Sequence, residues 1–164
     1  MATALRRILV LGLGNILLGD EGLGVRAVEQ LETHYILPPE VQVIDGGVAG
    51  LDLLPYLEGV THLLVVDAVQ MGVAPGTLVR LADEAIPQGL PVKMSLHQVG
   101  LQELLALARL RDTLPEQVVV WGMEPAVLAP GLELSPTVAA GLERLVTAVT
   151  DELRGWGVIM EPKP

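Results

Sequence analysis

The 164-residue chain contains no cysteine. This absence excludes a disulfide framework, a thiol nucleophile and thiolate ligands for a metal. Phenylalanine is also absent and aromatic residues make up only 2% of the chain, so the core must be built from Leu, Val, Ile and Ala. Basic residues are few, because 10 Lys and Arg stand against 20 Asp and Glu, a net charge of −10. A protein with this charge repels nucleic acids and anionic membranes, and we expect neither as a partner.

Long apolar runs are missing as well, since none reaches the length of about 18 residues that a membrane span needs. The stretch Arg6–Leu18 resembles a signal peptide, but Asn15 interrupts it and no A-x-A cleavage site follows. We therefore expect a cytoplasmic protein. An apolar fraction of 51% suits a single α/β domain over residues 1–164, with residues 155–164 as a loosely ordered tail. The oligomeric state stays open, with a monomer as the expectation.

Short apolar runs alternate with helical patterns, which is typical of an α/β fold with a largely parallel sheet. Strands are predicted over five runs: Arg7–Gly12, Val41–Ile44, His62–Val66, Thr77–Leu81 and Gln117–Val120. The fourth follows a tight turn and is expected to be antiparallel. Helices are predicted at four places: Glu21–Tyr35 with Asp20 as N-cap, a short one over Leu51–Leu57, one from the capping box Ser95–Gln98, and one after the N-cap Ser135 and Pro136.

Acidic side chains follow the predicted strands, where ligands bind in open α/β sheets. Glu21, Asp45 and Asp67 come after the first three strands, and His97 stands at the start of a helix. Asp67 directly follows an apolar run, and a charge there is costly to bury unless it is paired or binds a metal. Structural alternatives remain open for the others. Glu21 could simply favour the helix dipole, Asp45 could form a turn, and a lone histidine is more often structural.

Together, Glu21, Asp67 and His97 would form a set of two carboxylates and one imidazole. Such donors suit nickel, zinc, manganese or iron. Three protein ligands also leave coordination positions open for a substrate.

The glycine-rich turn Gly12–Leu17 begins like a dinucleotide-binding fingerprint. However, Leu17 occupies the place of the third glycine. Asp20 and Glu21 also put negative charge where a pyrophosphate would need helix N–H groups. A nucleotide-binding domain is therefore the weaker interpretation, and a tight connection from strand to helix explains the glycines.

Four segments of the chain resemble the hydrogenase maturation endopeptidases: GLGNILLGDEGLGVR (Gly12–Arg26), DGG (Asp45–Gly47), THLLVVDAV (Thr61–Val69) and SLHQVGL (Ser95–Leu101). The likeness runs from about Arg7 to about Val149. It implies a three-layer α/β/α sandwich around a mixed, mostly parallel five-stranded sheet with one antiparallel strand. It also implies an aspartic-type endopeptidase that removes the C-terminal extension of the large-subunit precursor of nickel–iron hydrogenases.

The resemblance implies roles for four residues. Glu21, Asp67 and His97 would be the metal ligands, and the nickel would be supplied by the precursor, with no nucleotide involved. Asp67 and Asp45 are the candidate catalytic groups, Asp45 as the base that activates water. The loop Asp83–Met94 is expected to contact the precursor. The alternative is a non-enzymatic nickel-sensing or chaperone module that uses the same three donors.

Overall fold

The computed structural model describes residues 5–83, 86 and 96–164, without the side chains of residues 96–100. Its strands are β1 (Ile8–Leu13), β2 (Tyr35–Ile36), β3 (Val41–Gly47), β4 (His62–Ala68), β5 (Leu78–Ala82), β6 (Gln117–Met123) and β7 (Glu161–Pro162). Five of them form one sheet in the order β3-β1-β4-β6-β5. Only β5 pairs antiparallel among these, so the predicted mixed, mostly parallel sheet is confirmed.

Helices cover both faces of this sheet. The described α-helices are α1 (Leu23–His34), α2 (Leu96–Leu110) and α3 (Pro136–Gly155), and 3₁₀ helices span Gly19–Gly22 and Gly50–Leu57. Because side chains alternate along a strand, Ile8 and Val10 of β1 pack with α1 and α3. Leu9 and Leu11 pack on the other face, with α2 and the second 3₁₀ helix. None of the described helices is both long and apolar enough to cross a membrane.

Several elements extend beyond their predicted ends. The predicted stop after Ile44 is wrong, because β3 continues to Gly47 across an irregularity in its pairing with β1. Strand β4 runs to Ala68, so Asp67 lies within the strand rather than after it. The capping box correctly places the start of α2 at Leu96, while Ser95 lies outside the described residues.

The two predicted N-caps have different outcomes. Ser135 caps α3 as predicted, since its side chain accepts a hydrogen bond from the main-chain nitrogen of Val138. Asp20 does not cap α1: a 3₁₀ turn precedes this helix, Gly22 occupies the N-cap position, and no side chain caps it. The Asp20 carboxylate is buried and has other partners, which belong to the site described below.

Residues 155–164 differ from the expectation of a loosely ordered tail. Val158 and Met160 are buried in the core, and β7 pairs antiparallel with β2. The main-chain nitrogen of Lys163 also donates a hydrogen bond to the carbonyl oxygen of His34 at 2.8 Å. Val158 and Met160 alternate with exposed neighbours. The burial of these two apolar side chains attaches the segment to the rest of the fold.

Glycines let α1 lie very close to the sheet. A Cβ atom added at Gly24 would overlap the carbonyl oxygens of Leu13 and Val66, and one at Gly12 would lie 2.6 Å from Cγ2 of Val28. Gly12 and Gly24 therefore serve the close packing of strand against helix, as the interpretation of a tight connection predicted. This packing holds the start of α1 against the carboxyl ends of β1 and β4.

Candidate active site

The loop after β1 runs beside the carboxylate of Asp67. Gly14 of this loop has φ +131°, a conformation that favours glycine. A Cβ atom at Gly14 would overlap the carbonyl oxygen of Glu21 and would lie 3.7 Å from Oδ1 of Asp67. The structure thus brings the main chain of Glu21 and the side chain of Asp67 close to the same point beside one glycine.

Asp67 is buried near the carboxyl end of the central strand β4, with 1% of its surface exposed. Its Oδ1 accepts a hydrogen bond from the main-chain nitrogen of Ala68 at 2.8 Å. Val65 and Val69, two residues before and after it, pack on the face of the sheet that α2 covers. By strand alternation, Asp67 belongs to the same face.

His97 is the second residue of α2, and its side chain lies outside the part of the chain that the structure describes. The last turn of α2 leads into the amino end of β6, and the helix is about 20 Å long. Its first turn therefore lies toward the carboxyl end of the sheet. The backbone therefore puts His97 and Asp67 on the same face and toward the same end of the sheet.

Asp20 anchors the 3₁₀ turn that carries Glu21. It is fully buried, and Oδ2 accepts hydrogen bonds from the main-chain nitrogens of Ala126 at 2.9 Å and Val127 at 2.8 Å. Ser135 contributes two more, from its main-chain nitrogen at 2.7 Å and its hydroxyl at 2.8 Å. Burial raises the pKa of Asp20, but these hydrogen bonds outweigh it and hold the pKa below its usual value.

The role of Asp20 was missed by sequence reasoning, because the residue was assigned to a local cap. Its partners lie 106 to 115 residues away in the chain. No local pattern indicates such a link, although the predicted cap at Ser135 correctly marked one end of it. Half-buried Glu21 follows Asp20 directly, so this anchor also fixes the position of Glu21.

Glu124 is a second buried carboxylate that was missed. It follows β6 directly, and its two oxygens accept hydrogen bonds from the main-chain nitrogens of Met71 at 2.6 Å and Gly72 at 3.1 Å. Glu124 therefore holds the loop that follows β4. A signal for it exists in the sequence, because Glu124 ends an apolar run in the same way as Asp67.

Asp45 lies exposed on the edge strand β3, and its Oδ1 accepts a hydrogen bond from the main-chain nitrogen of Gly47 at 3.0 Å. It pairs with Gly12, whose missing side chain would point at Val28 of α1. Residues paired across parallel strands share a face, so Asp45 belongs to the α1 face and Asp67 to the α2 face. The structure thus gives Asp45 a turn-forming contact and does not bring it together with Asp67.

A comparison with known families decides the class of protein. The family model for hydrogenase maturation proteases matches residues 25–152. This chain belongs to the hydrogenase maturation protease family. As a member, it is a hydrolase that cleaves peptide bonds, rather than the non-enzymatic module or the nucleotide-binding domain considered as alternatives.

Individual relatives of this maturation protease agree with the assignment. Hydrogenase 2 maturation protease of Escherichia coli is 44% identical over 158 residues, which are 96% of either chain. The hydrogenase expression/formation protein HupD of Rhodobacter capsulatus is 44% identical over 154 residues, 93% of this chain and 73% of that protein. The solved structure of the E. coli endopeptidase HybD superposes with a TM-score of 0.92, covering 96% of this chain and 98% of HybD. The predicted fold and family are therefore confirmed.

The metal ligands predicted for this maturation protease stay a prediction. Among the described side chains, which do not include that of His97, no group of three or more His, Cys, Asp and Glu residues could hold a metal. The donor types themselves suit a divalent ion, because two carboxylates balance its charge and an imidazole adds a neutral nitrogen.

The loop Asp83–Met94, expected to contact the precursor, lies outside the described residues except for two of its members. Oδ1 of Asp83 accepts a hydrogen bond from the main-chain nitrogen of Val118 at 2.9 Å. Ile86 is buried in the core on the α2 face. Asp83 is thereby joined to the sheet, and Ile86 to the core.

Proposed function

We propose that this protease removes the C-terminal extension of a nickel–iron hydrogenase large-subunit precursor after nickel has been inserted. The single observation that supports it is the approach of the Glu21 main chain and the Asp67 carboxylate to the same point beside Gly14. This approach supports a shared site of Glu21 and Asp67 at the carboxyl end of the sheet, where α/β proteins bind their ligands.

In this proposal the nickel belongs to the substrate. Glu21, Asp67 and His97 ligate it while the precursor's own groups continue to hold it. Two carboxylates neutralise a divalent ion, and the absence of cysteine from the chain means that no thiolate competes for it. Such a site reports that nickel is present without removing it from the precursor.

Hydrolysis requires a base for the attacking water. One proton of the water passes to a carboxylate as the oxygen bonds to the peptide carbonyl carbon, and the leaving nitrogen takes up a proton when the C–N bond breaks. We propose Asp45 for this base, because it is exposed to solvent near the carboxyl end of β3. Because β1 lies between β3 and β4 and the two aspartates belong to opposite faces of the sheet, this role requires the peptide to reach Asp45 around the carboxyl edge of the sheet.

The experiment is a processing assay with purified precursor in two forms, loaded with nickel and free of nickel. Mass spectrometry follows the loss of the extension. We expect the wild-type protease to shorten the nickel-loaded precursor and to leave the nickel-free form intact. Equal cleavage of both forms would contradict nickel recognition. Binding of the loaded precursor without any loss of mass would contradict the proposed proteolysis of this substrate.

The proposal extends to the setting of the reaction, which is the cytoplasm, with the protease acting as a monomer. Cell fractionation and sedimentation equilibrium test these two points. A dimer at assay concentration, or activity confined to another compartment, would contradict them.

A further inference from the structure

Exposed apolar side chains are concentrated in the loops that follow the carboxyl ends of β1, β3, β4 and β6. We call one set of them the apolar rim, with 38% to 63% of each side chain exposed: Ile16, Leu17, Val48, Met71, Val73 and Val127. A single exposed apolar residue is ordinary in any protein. Six on the loops at one end of a sheet are typical of an interaction surface.

Hydrogen bonds join these loops to one another. The main-chain nitrogen of Gly14 donates to the carbonyl oxygen of Gly47, and that of Gly131 donates to Leu17, each at 2.9 Å. Glu124 accepts from the main-chain nitrogen of Met71, which ties the loop after β4 to the loop after β6. The loops that carry the apolar rim are therefore held together, and they also carry Glu21 and flank Asp67.

The charge around the rim has one sign. The four loops, residues 14–22, 48–57, 69–77 and 124–135, contain no Lys, Arg or His. They do contain exposed Asp52 and Glu133. The nearby Arg26 already pairs with Glu29 at 3.4 Å and donates to the carbonyl oxygen of Leu132. An apolar segment with basic residues complements this surface, whereas an acidic segment would be repelled.

We propose that the apolar rim docks an apolar, basic segment of the precursor and so guides the peptide to be cut across Asp67. This inference rests on the proposed function, since the rim surrounds the same site. The substrate must cross these loops to reach the carboxyl end of the sheet. Apolar contact there gives affinity, and the acidic surroundings select the charge of the segment that binds.

The test measures the Kd for nickel-loaded precursor by isothermal titration calorimetry. Leu17→Lys and Val73→Lys each put a charge into the rim at an exposed position that folding tolerates. We expect either change to raise Kd about tenfold. Val73→Glu should raise Kd less than Val73→Lys does, because its charge attracts a basic segment. Thermal unfolding checks that each variant is folded.

The matched control is Leu110→Lys, which changes a residue that is 80% exposed at the far end of α2. We expect it to bind the precursor with the wild-type Kd. Wild-type affinity in both rim variants, an equal loss in Leu110→Lys, or tighter binding by Val73→Lys than by Val73→Glu would overturn the proposal. If the wild type cuts the precursor while the rim variants bind it with the wild-type Kd, the docking proposal is wrong and the proposed function stands. If the wild type cuts nothing, the proposed function fails.

Discussion

Asp20 and Ser135 are joined by two hydrogen bonds, although 115 positions separate them in the chain. The main-chain nitrogen of Ser135 donates to Oδ1 of Asp20 at 2.7 Å, and its hydroxyl donates to Oδ2 at 2.8 Å. The same hydroxyl accepts from the main-chain nitrogen of Val138 as the N-cap of α3. One buried carboxylate thus connects the turn that carries Glu21 to the start of α3.

We predict that Asp20→Asn lowers the free energy of unfolding by about 3 kcal/mol. The amide keeps the shape of the carboxylate but offers one acceptor oxygen to donors that need two, so a buried N–H loses its partner. Urea unfolding followed by circular dichroism measures the loss. The control, Asp52→Asn, changes an exposed carboxylate and should stay within about 0.5 kcal/mol of the wild type. Equal stabilities of Asp20→Asn and wild type would refute the anchoring role.

The Asp20 carboxylate also predicts a loss of stability in acid. Its pKa is lowered in the folded protein, so its contribution is present above the unfolded pKa of about 3.9 and is lost as the pH falls through the folded pKa. The difference in unfolding free energy between wild type and Asp20→Asn should therefore be constant from pH 7 to about pH 5 and shrink below about pH 4. Urea titrations at each pH measure it. A difference that grows in acid would mean that folding raises the pKa of Asp20 instead of lowering it.

Gly14→Ala should reduce processing of the precursor about tenfold or more, because the added methyl group overlaps the Glu21 carbonyl oxygen and displaces the main chain of Glu21. Gly50→Ala is the matched control, since Gly50 also has positive φ but no atom lies within 4 Å of its added Cβ. Both variants carry backbone strain, which is larger at φ +131° of Gly14 than at φ +56° of Gly50, and only the first variant also disturbs the site. Initial rates of extension loss compare them. Similar rates in the two variants would show that Gly14 does not position Glu21.

Glu124→Gln should free the loop after β4. Its carboxylate accepts two main-chain hydrogen bonds, whereas the amide can accept only through its single oxygen. We expect hydrogen exchange at Met71 and Gly72 to become about tenfold faster or more. Glu133→Gln, which changes an exposed side chain, serves as the control and should leave that exchange unchanged. Wild-type exchange rates at Met71 and Gly72 in Glu124→Gln would contradict the role of Glu124 in holding this loop.

The sequence predicted the sheet well because a strand buried on both faces is a short apolar run. The turn at Pro75 and Gly76 also indicated the antiparallel direction of β5. The end of β3 was harder to predict, since the Asp-Gly-Gly of Asp45–Gly47 is typical of a turn but continues to pair with β1. Turn chemistry describes local conformation and carries no information about a neighbouring strand.

The candidate site was predictable only in part. Asp67 and Glu124 are both charges that follow an apolar run, and this signal indicated Asp67 and was overlooked at Glu124. The anchor at Asp20 depends on contacts with residues more than a hundred positions away, which no local pattern contains. The face occupied by Asp45 depends on its register with Gly12, and register is fixed by the assembled sheet.

The most direct test of nickel recognition compares variants of its proposed ligands on nickel-loaded precursor. Glu21→Gln, Asp67→Asn and His97→Ala each remove one ligand, and Glu32→Gln on the exposed face of α1 is the control. With the fold verified by circular dichroism, we predict that each ligand variant loses about a hundredfold or more in processing rate, while Glu32→Gln matches the wild type. Wild-type rates in Glu21→Gln or His97→Ala would contradict the account.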